Sequence, residues 1–211
     1  CGFLNTLEES LKEGKIMEDQ INTACRRVLE AKYKLGLFSN PYKYGDTLRV
    51  KEQLYTAEHR SAARAIASET FVLLKNENHL LPLGLKGKIA LVGPMADARN
   101  NMCGMWSMAC TASRHGTLLE GIRSAAGDKA EILYAKGSNV YEDAEMEKAA
   151  AGIRPLEHED NRKLLDEALR VASRADVIVA ALGECAEMSG ESASRTNLEI
   201  PDAQQNLLKA L

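Results

Sequence analysis

The chain has 211 residues, 45% of them hydrophobic and 27% charged, and a formal net charge of −3. This is the composition of an ordinary globular protein, and the length suits one large domain or one domain plus part of another. The weak negative charge gives no electrostatic pull toward nucleic acid or an anionic membrane, and no apolar run approaches the roughly 20 residues of a membrane-spanning helix.

In chain order, Phe3, Leu4, Leu7 and Leu11 form a helical stripe, broken at Gly14-Lys15. A second helix is predicted from about Glu18 to Leu35, with acids in its first turn, lysines in its last and Gly36 as its stop. Residues 39–56 are polar and poor in periodicity, and read as a linker. An Ala-rich helix is expected over Ala57 to Glu69, then a short strand over Phe71 to Lys75, then a turn at Asn76-Glu77-Asn78.

From Lys86 the pattern alternates. Strands are predicted at Lys88 to Val92, Glu131 to Ala135 and Val177 to Leu182, with helices at Gly116 to Ala126 and Asp160 to Arg174. Between Glu142 and His158 the sequence suggests a short helix, then a loop at Gly152 and Pro155. Strand, helix and strand at this spacing argue an α/β fold with a mostly parallel sheet covered by helices. Both ends of the chain fall within helical patterns, which is the expectation for a piece of a longer protein.

The candidate chemistry is sparse. Gly93-Pro94 follows a strand but lacks GxGxxG and the Walker lysine, and Ser189-Gly190-Glu191-Ser192 is no GxSxG elbow. Five cysteines, Cys1, Cys25, Cys103, Cys110 and Cys185, include no CxxC pair, so isolated half-buried thiols are expected rather than disulfides or a zinc ribbon. Trp106, the sole tryptophan, is either a hydrophobic plug or a stacking platform for a sugar-like face. His115 reads as a surface or capping residue. Gly183 ends the third strand and opens a polar loop with Glu184, Glu187, Glu191 and Arg195. Carboxyl ends of strands are where open α/β folds hold their chemistry, and a carboxyl group partly desolvated there suits general acid work. Arg195 could orient such a group or bind substrate. The alternative is a set of solvated loop charges, and the residues alone leave both readings open.

Six stretches in order resemble the family 3 glycoside hydrolases, the β-glucosidase and β-xylosidase group, with the bacterial periplasmic β-glucosidases as the nearest subgroup. They are Leu35-Gly36-Leu37-Phe38-Ser39-Asn40-Pro41-Tyr42, Val72-Leu73-Leu74-Lys75-Asn76, Leu80-Leu81-Pro82-Leu83, Ile89-Ala90-Leu91-Val92-Gly93-Pro94, Gly104-Met105-Trp106-Ser107, and Gly183-Glu184 through Arg195. The resemblance implies that residues 1–38 end a (β/α)₈-type barrel domain, 39–56 link it onward, and 57–211 begin an α/β sandwich domain. It implies a retaining hydrolase of β-D-glucosides, periplasmic or secreted, with no metal or organic cofactor. The nucleophile, an aspartate of the barrel, would lie upstream of Cys1. Glu191 would be the acid/base, with Glu184 as the alternative because this loop varies within the family. Trp106 and Arg195 would contact substrate. A retaining glycosidase needs its two carboxyl groups about 5–5.5 Å apart, so this chain alone is expected to be inactive. Relatives acting as β-xylosidases or N-acetylglucosaminidases, and a purely carbohydrate-binding or structural role, are the competing expectations.

Overall fold

A computed structural model describes residues 2–151 and 156–211; Cys1 and the loop expected at Gly152 and Pro155 lie outside them. The chain divides into two compact units, Cys1–Lys75 and Asn76–Leu211.

The first unit is helical: α1 (Gly2–Lys12), α2 (Glu18–Lys34), α3 (Leu48–Gln53) and α4 (Ala57–Glu69). The predicted helices form where periodicity places them. Gln20 accepts from the Met17 backbone N–H at 2.8 Å at the start of α2, and Thr56 caps α4 by accepting from His59 N at 3.1 Å. Their apolar stripes are nonetheless uncovered: no described residue of α2 or α4 is buried, and Tyr33 is 75% exposed. Within the stretch 39–56, α3 is a short helix that the sequence reading did not anticipate, begun where Asp46 accepts from Leu48 N. The strand expected over Phe71 to Lys75 is absent, and these residues carry no regular structure. A strand needs a neighbour for its backbone groups, and among the described residues none pairs with this run, whose Leu74 is 91% exposed.

The second unit is built on three parallel strands in the order β2-β1-β3: β1 (Gly87–Val92), β2 (Ala130–Ala135) and β3 (Val177–Ala180). β1 pairs in register with both neighbours, Ile89 opposite Ile132 and Val177. A central strand covered on both faces must be apolar throughout, and Ile89, Ala90, Leu91 and Val92 are all fully buried. The pleat divides them. Ala90 and Val92 pack with Ala135, Ala168 of α7 (Asn161–Ala172) and Leu207 of α8 (Asp202–Ala210). Leu91 packs on the other face with Ala96, Ala181 and Leu119 of α5 (Leu118–Ala126). The charged segment after β2 contributes α6 (Ala144–Ala151). The result is the predicted α/β layer structure, with helices on both faces of a parallel sheet.

Two local devices fix the helix that follows β1. Thr117 accepts from Glu120 N at 3.3 Å, and Glu120 Oε2 accepts from Thr117 N at 3.0 Å, a reciprocal capping box. That Thr117 backbone bond, with the Arg99 guanidinium second, holds the Glu120 carboxyl below the usual carboxylate range. Gly93, just past β1, has φ +117°, and a Cβ there would lie 2.2 Å from the Ala181 carbonyl oxygen. Only glycine meets both conditions without strain.

Gly93→Ala should therefore destabilise the protein by more than about 2 kcal/mol, since it adds a left-handed penalty to a backbone clash. Thr117→Ala, which removes one cap acceptor, should cost about 1 kcal/mol. Urea denaturation followed by far-UV circular dichroism tests both, and a Gly93→Ala cost at or below that of Thr117→Ala would refute the assignment.

Candidate functional site

The carboxyl ends of β1 and β3 give rise to two loops that meet. The first runs from Gly93 to Thr117 and carries Trp106. The second runs from Ala181 to Pro201 and carries the acids and Arg195.

The acidic loop is anchored at its origin. Gln204 of α8 is fully buried, and its amide spans the end of β3. Its Oε1 accepts from Gly183 N at 2.8 Å and its Nε2 donates to Gly183 O at 2.7 Å. The same Nε2 donates to Val140 O at 3.4 Å. Ala186 N then donates to Asn101 Oδ1 at 3.0 Å, tying this loop to the one after β1. Cys185 and Met188 bury their side chains with Val140. Burial, assisted by the Glu187 carboxylate, pushes the Cys185 thiol up, which makes it an inert packing group rather than a nucleophile. Tyr141 lies beside this cluster with its phenol also pushed up, chiefly by burial.

Beyond Met188 the loop turns outward. Ala193 N donates to Gly190 O at 3.3 Å, and Ser192 takes φ +64°, so residues 190–193 form a turn with a left-handed third position. Glu191 occupies the second position of that turn and is exposed. It makes no hydrogen bond or ion pair among the described residues. Gly190 is a further contact point with the other loop. A Cβ on it would lie 2.8 Å from Met105 Cγ and 3.3 Å from Trp106 Nε1. Glycine is required here for close approach, and Trp106 thus stands beside the residue preceding Glu191.

The other sequence-predicted residues fall as follows. Arg195 forms an ion pair with Glu184 rather than with Glu191. Its Nη2 also donates to Asn197 Oδ1 at 3.2 Å and to the Glu199 carbonyl. It lines a cavity of about 290 Å³ with Tyr141, Pro201 and Gln205. Trp106 is 67% exposed, which removes the reading of it as a buried plug.

Two expectations are corrected. Cys103 and Cys110 are joined in a disulfide rather than standing as isolated thiols. Spacing alone did not show it, because the intervening residues must fold back to bring the Cα atoms within 6.1 Å. Cys25 is exposed and Cys185 buried, and neither is in a disulfide. His115 is half-buried rather than a surface group, with Nε2 3.3 Å from Cys110 Sγ. The two sulfurs and an imidazole nitrogen of His115 lie within 4.8 Å of one another, a donor set for a thiophilic metal only when the sulfurs are reduced. Arg99 closes the same loop, donating to the His115 carbonyl and pairing with Glu120.

Sequence reasoning missed Gln204 and Asn101 altogether. The signal for Gln204 was available: it stands on the apolar face of α8 beside Ala203 and Leu207, both buried, and a polar residue on a buried face needs partners. No described helix is long and apolar enough to cross a membrane.

Known proteins share this sequence and arrangement. The chain is 40% identical over 210 residues to a periplasmic beta-glucosidase of Salmonella typhimurium, covering 95% of this chain and 27% of that protein. It is 28% identical over 213 residues to a beta-xylosidase of Formosa agariphila, covering 98% of this chain and 27% of that one. Among solved structures, a beta-glucosidase from Listeria innocua in complex with glucose superposes with a TM-score of 0.72 at 31% identity, over 97% of this chain and 25% of that chain. The chain thus spans about a quarter of the length of these relatives. Residues 71–211 match the Glycosyl hydrolase family 3 C-terminal domain, and the chain belongs to glycoside hydrolase family 3.

Proposed function

We propose that this chain is part of a β-glucosidase and supplies the acid/base carboxyl group, Glu191, of a retaining double displacement. The observation that carries this is the partition of the acids. Glu184 is committed to Arg195, whereas Glu191, at the tip of a turn whose first glycine touches Trp106, has no hydrogen-bond or ion-pair partner among the described residues. A general acid must present its carboxyl group to the leaving oxygen without a guanidinium competing for it. The exposed indole beside it is suited to stacking on a sugar ring or other leaving group. Arg195, held by Glu184 and the loop backbone, acts in this reading as a positioning residue that shapes the turn. A glucoside is favoured over a xyloside because the named β-glucosidase is 40% identical and the named β-xylosidase 28%.

The nucleophilic carboxylate comes, on this reading, from a barrel domain outside these 211 residues, with residues 1–38 as the barrel's last helices, 39–56 as linker and 57–211 as the start of the sandwich domain. Support lies in the uncovered apolar side chains of the first unit. A groove of about 810 Å³ runs along α2, lined by Leu29, Tyr33 and Phe38 among others, which is a natural seat for the rest of that domain. The name of the Salmonella relative supports a periplasmic location.

In the full-length protein, Glu191→Ala should lower turnover of an unactivated β-glucoside by about 10²–10⁴-fold. Turnover of an aryl glucoside with an activated leaving group should fall far less, and azide should restore part of it. Near-normal hydrolysis of the unactivated substrate would refute the assignment, and the same pattern in Glu184→Ala instead would move the role to Glu184. The 211-residue chain by itself should not hydrolyse an aryl β-glucoside, because half of the carboxyl pair is lacking; measurable, enzyme-proportional release of the phenol by the purified chain would contradict this.

A further inference from the structure

The root of the acidic loop rests on Val140 and Tyr141, in the segment between β2 and α6. Val140 is buried, and its side chain packs with Cys185 and Met188. Its carbonyl accepts from Gln204 Nε2, the amide that also clamps Gly183. Tyr141 lines the cavity that Arg195, the partner of Glu184, also lines. The two residues therefore meet the loop by packing, through Gln204 and beside the Arg195 pair. What fixes their own backbone is a carboxyl group. Glu147, in the first turn of α6, is 1% exposed. Its Oε1 accepts from Val140 N at 3.2 Å and its Oε2 from Tyr141 N at 2.6 Å. Glu147 is itself placed by Asp143, whose Oδ1 accepts from Glu145 N and Met146 N, both at 2.9 Å, at the start of α6. α6 also packs against the turn Ala186–Met188 of the acidic loop. A carboxyl group is costly to bury. An apolar side chain of the same size would fill the space more cheaply, but it could not satisfy two successive N–H groups.

We propose that Glu147 is a positioning residue for glycoside hydrolysis: by fixing the backbone of Val140 and Tyr141 it seats the acidic loop, so that the Ser189–Arg195 turn presents Glu191. That the seated acid does the chemistry rests on the proposed function; that Glu147 seats the loop does not. Glu147→Gln isolates the effect. The amide keeps the volume of the acid, so the core is not emptied. Its NH₂ replaces one acceptor and faces a backbone donor, and one buried N–H loses its partner. The resulting shift at residues 140–141 passes to Cys185 and Met188, which pack on Val140, and to the Tyr141 wall beside Arg195. A displacement of about 1 Å from a change far from the chemistry can cost about 10²-fold in rate. The loss falls on the step that needs protonation of the leaving oxygen.

The test uses the full-length protein. Glu147→Gln should lower kcat on an unactivated β-glucoside by about 10- to 100-fold with little change in KM, and far less on an aryl glucoside with an activated leaving group. The buried Cys185 thiol, packed on Val140, reports the seating. Its alkylation by iodoacetamide without denaturant, read by peptide mass spectrometry, should be at least about tenfold faster in Glu147→Gln, as local opening around an orphaned buried N–H implies. Asp160→Ala serves as the comparison, because Asp160 caps α7 by accepting from Lys163 N at 2.9 Å and does not touch the loop. It should lower the unfolding midpoint while leaving the leaving-group dependence and the Cys185 rate near wild type. In the unaltered protein the Val140 and Tyr141 amides should exchange with deuterium far more slowly than those of the exposed turn at residues 190–193. Fast exchange at Val140 and Tyr141 would overturn the proposal without any variant. So would Glu147→Gln with wild-type leaving-group dependence, or with Cys185 no more reactive than in Asp160→Ala. Alkylation and exchange do not depend on which acid reacts. A neutral Glu191→Ala alongside a freed Cys185 in Glu147→Gln would therefore sink the acid/base assignment and leave the seating of the loop standing.

Discussion

The site depends on one close approach. β1 is buried on both faces, so the chain can leave it only at its end, and it leaves across the end of β3 at Gly93. The φ of +117° and the 2.2 Å that would separate a Cβ from the Ala181 carbonyl show how little room there is. That same carbonyl accepts from Met95 N at 3.2 Å, and Leu119 N then donates to Ala96 O at 2.9 Å, which carries the order across to α5. The two loops start from touching backbones and meet again further on, where Ala186 N donates to Asn101. Glycines stand at two of the contacts between these loops, Gly93 against Ala181 and Gly190 against Met105 and Trp106, and the Asn101–Ala186 bond lies between them.

The two loops are stiffened by different means. The acidic loop is held by a buried amide: Gln204 supplies Gly183 with both a donor and an acceptor, doing for the end of β3 what a further strand would do for its middle. A fully buried side chain that satisfies backbone groups is costly to disturb, because each group left unpaired carries its full desolvation penalty. The loop after β1 is tied by Arg99 to the His115 carbonyl and Glu120, by Asn101 to Ala186 of the acidic loop, and by the Cys103–Cys110 disulfide. One loop is held at the root and exposes an acid at its tip. The other is held at both ends and exposes an indole between them.

Elements whose apolar residues recur with one clear period were legible in the sequence. α7, with Leu164, Ala168 and Ala172 buried, and β1, a continuous apolar run ending at a glycine, are examples. Phe71 to Lys75 was not, because a run of four apolar residues satisfies either period and only a pairing partner makes a strand of it. The acidic loop was legible as a location: a polar break after a buried strand in an α/β pattern. Its internal order was not. The Arg195–Glu184 pair spans 11 residues, the Gln204 clamp 21 and the Asn101 bond 85, and no local pattern encodes which acid a guanidinium will choose. The disulfide was hidden for the same reason.

The choice made by that guanidinium decides how the loop can be used. Pairing Arg195 with Glu184 joins the start of the loop to its far side, and the further bonds from Arg195 to Asn197 and the Glu199 carbonyl fasten the segment leading into α8. The turn at residues 190–193 then lies between two fastened stretches, with Met188 buried before it and Arg195 bonded after it. A left-handed Ser192 is tolerable there because both flanks are fixed. Had the arginine taken Glu191 instead, the tip would be drawn back onto the loop, and a guanidinium in hydrogen-bond range would favour the ionised carboxylate over the acid. On the proposed reading, Arg195 is spent on an acid that serves as a strut, and the other acid is left for chemistry. Glu184 and Glu191 are alike as residues; what separates them is that one lies at the root of the loop beside Arg195 and the other at its tip beside Trp106.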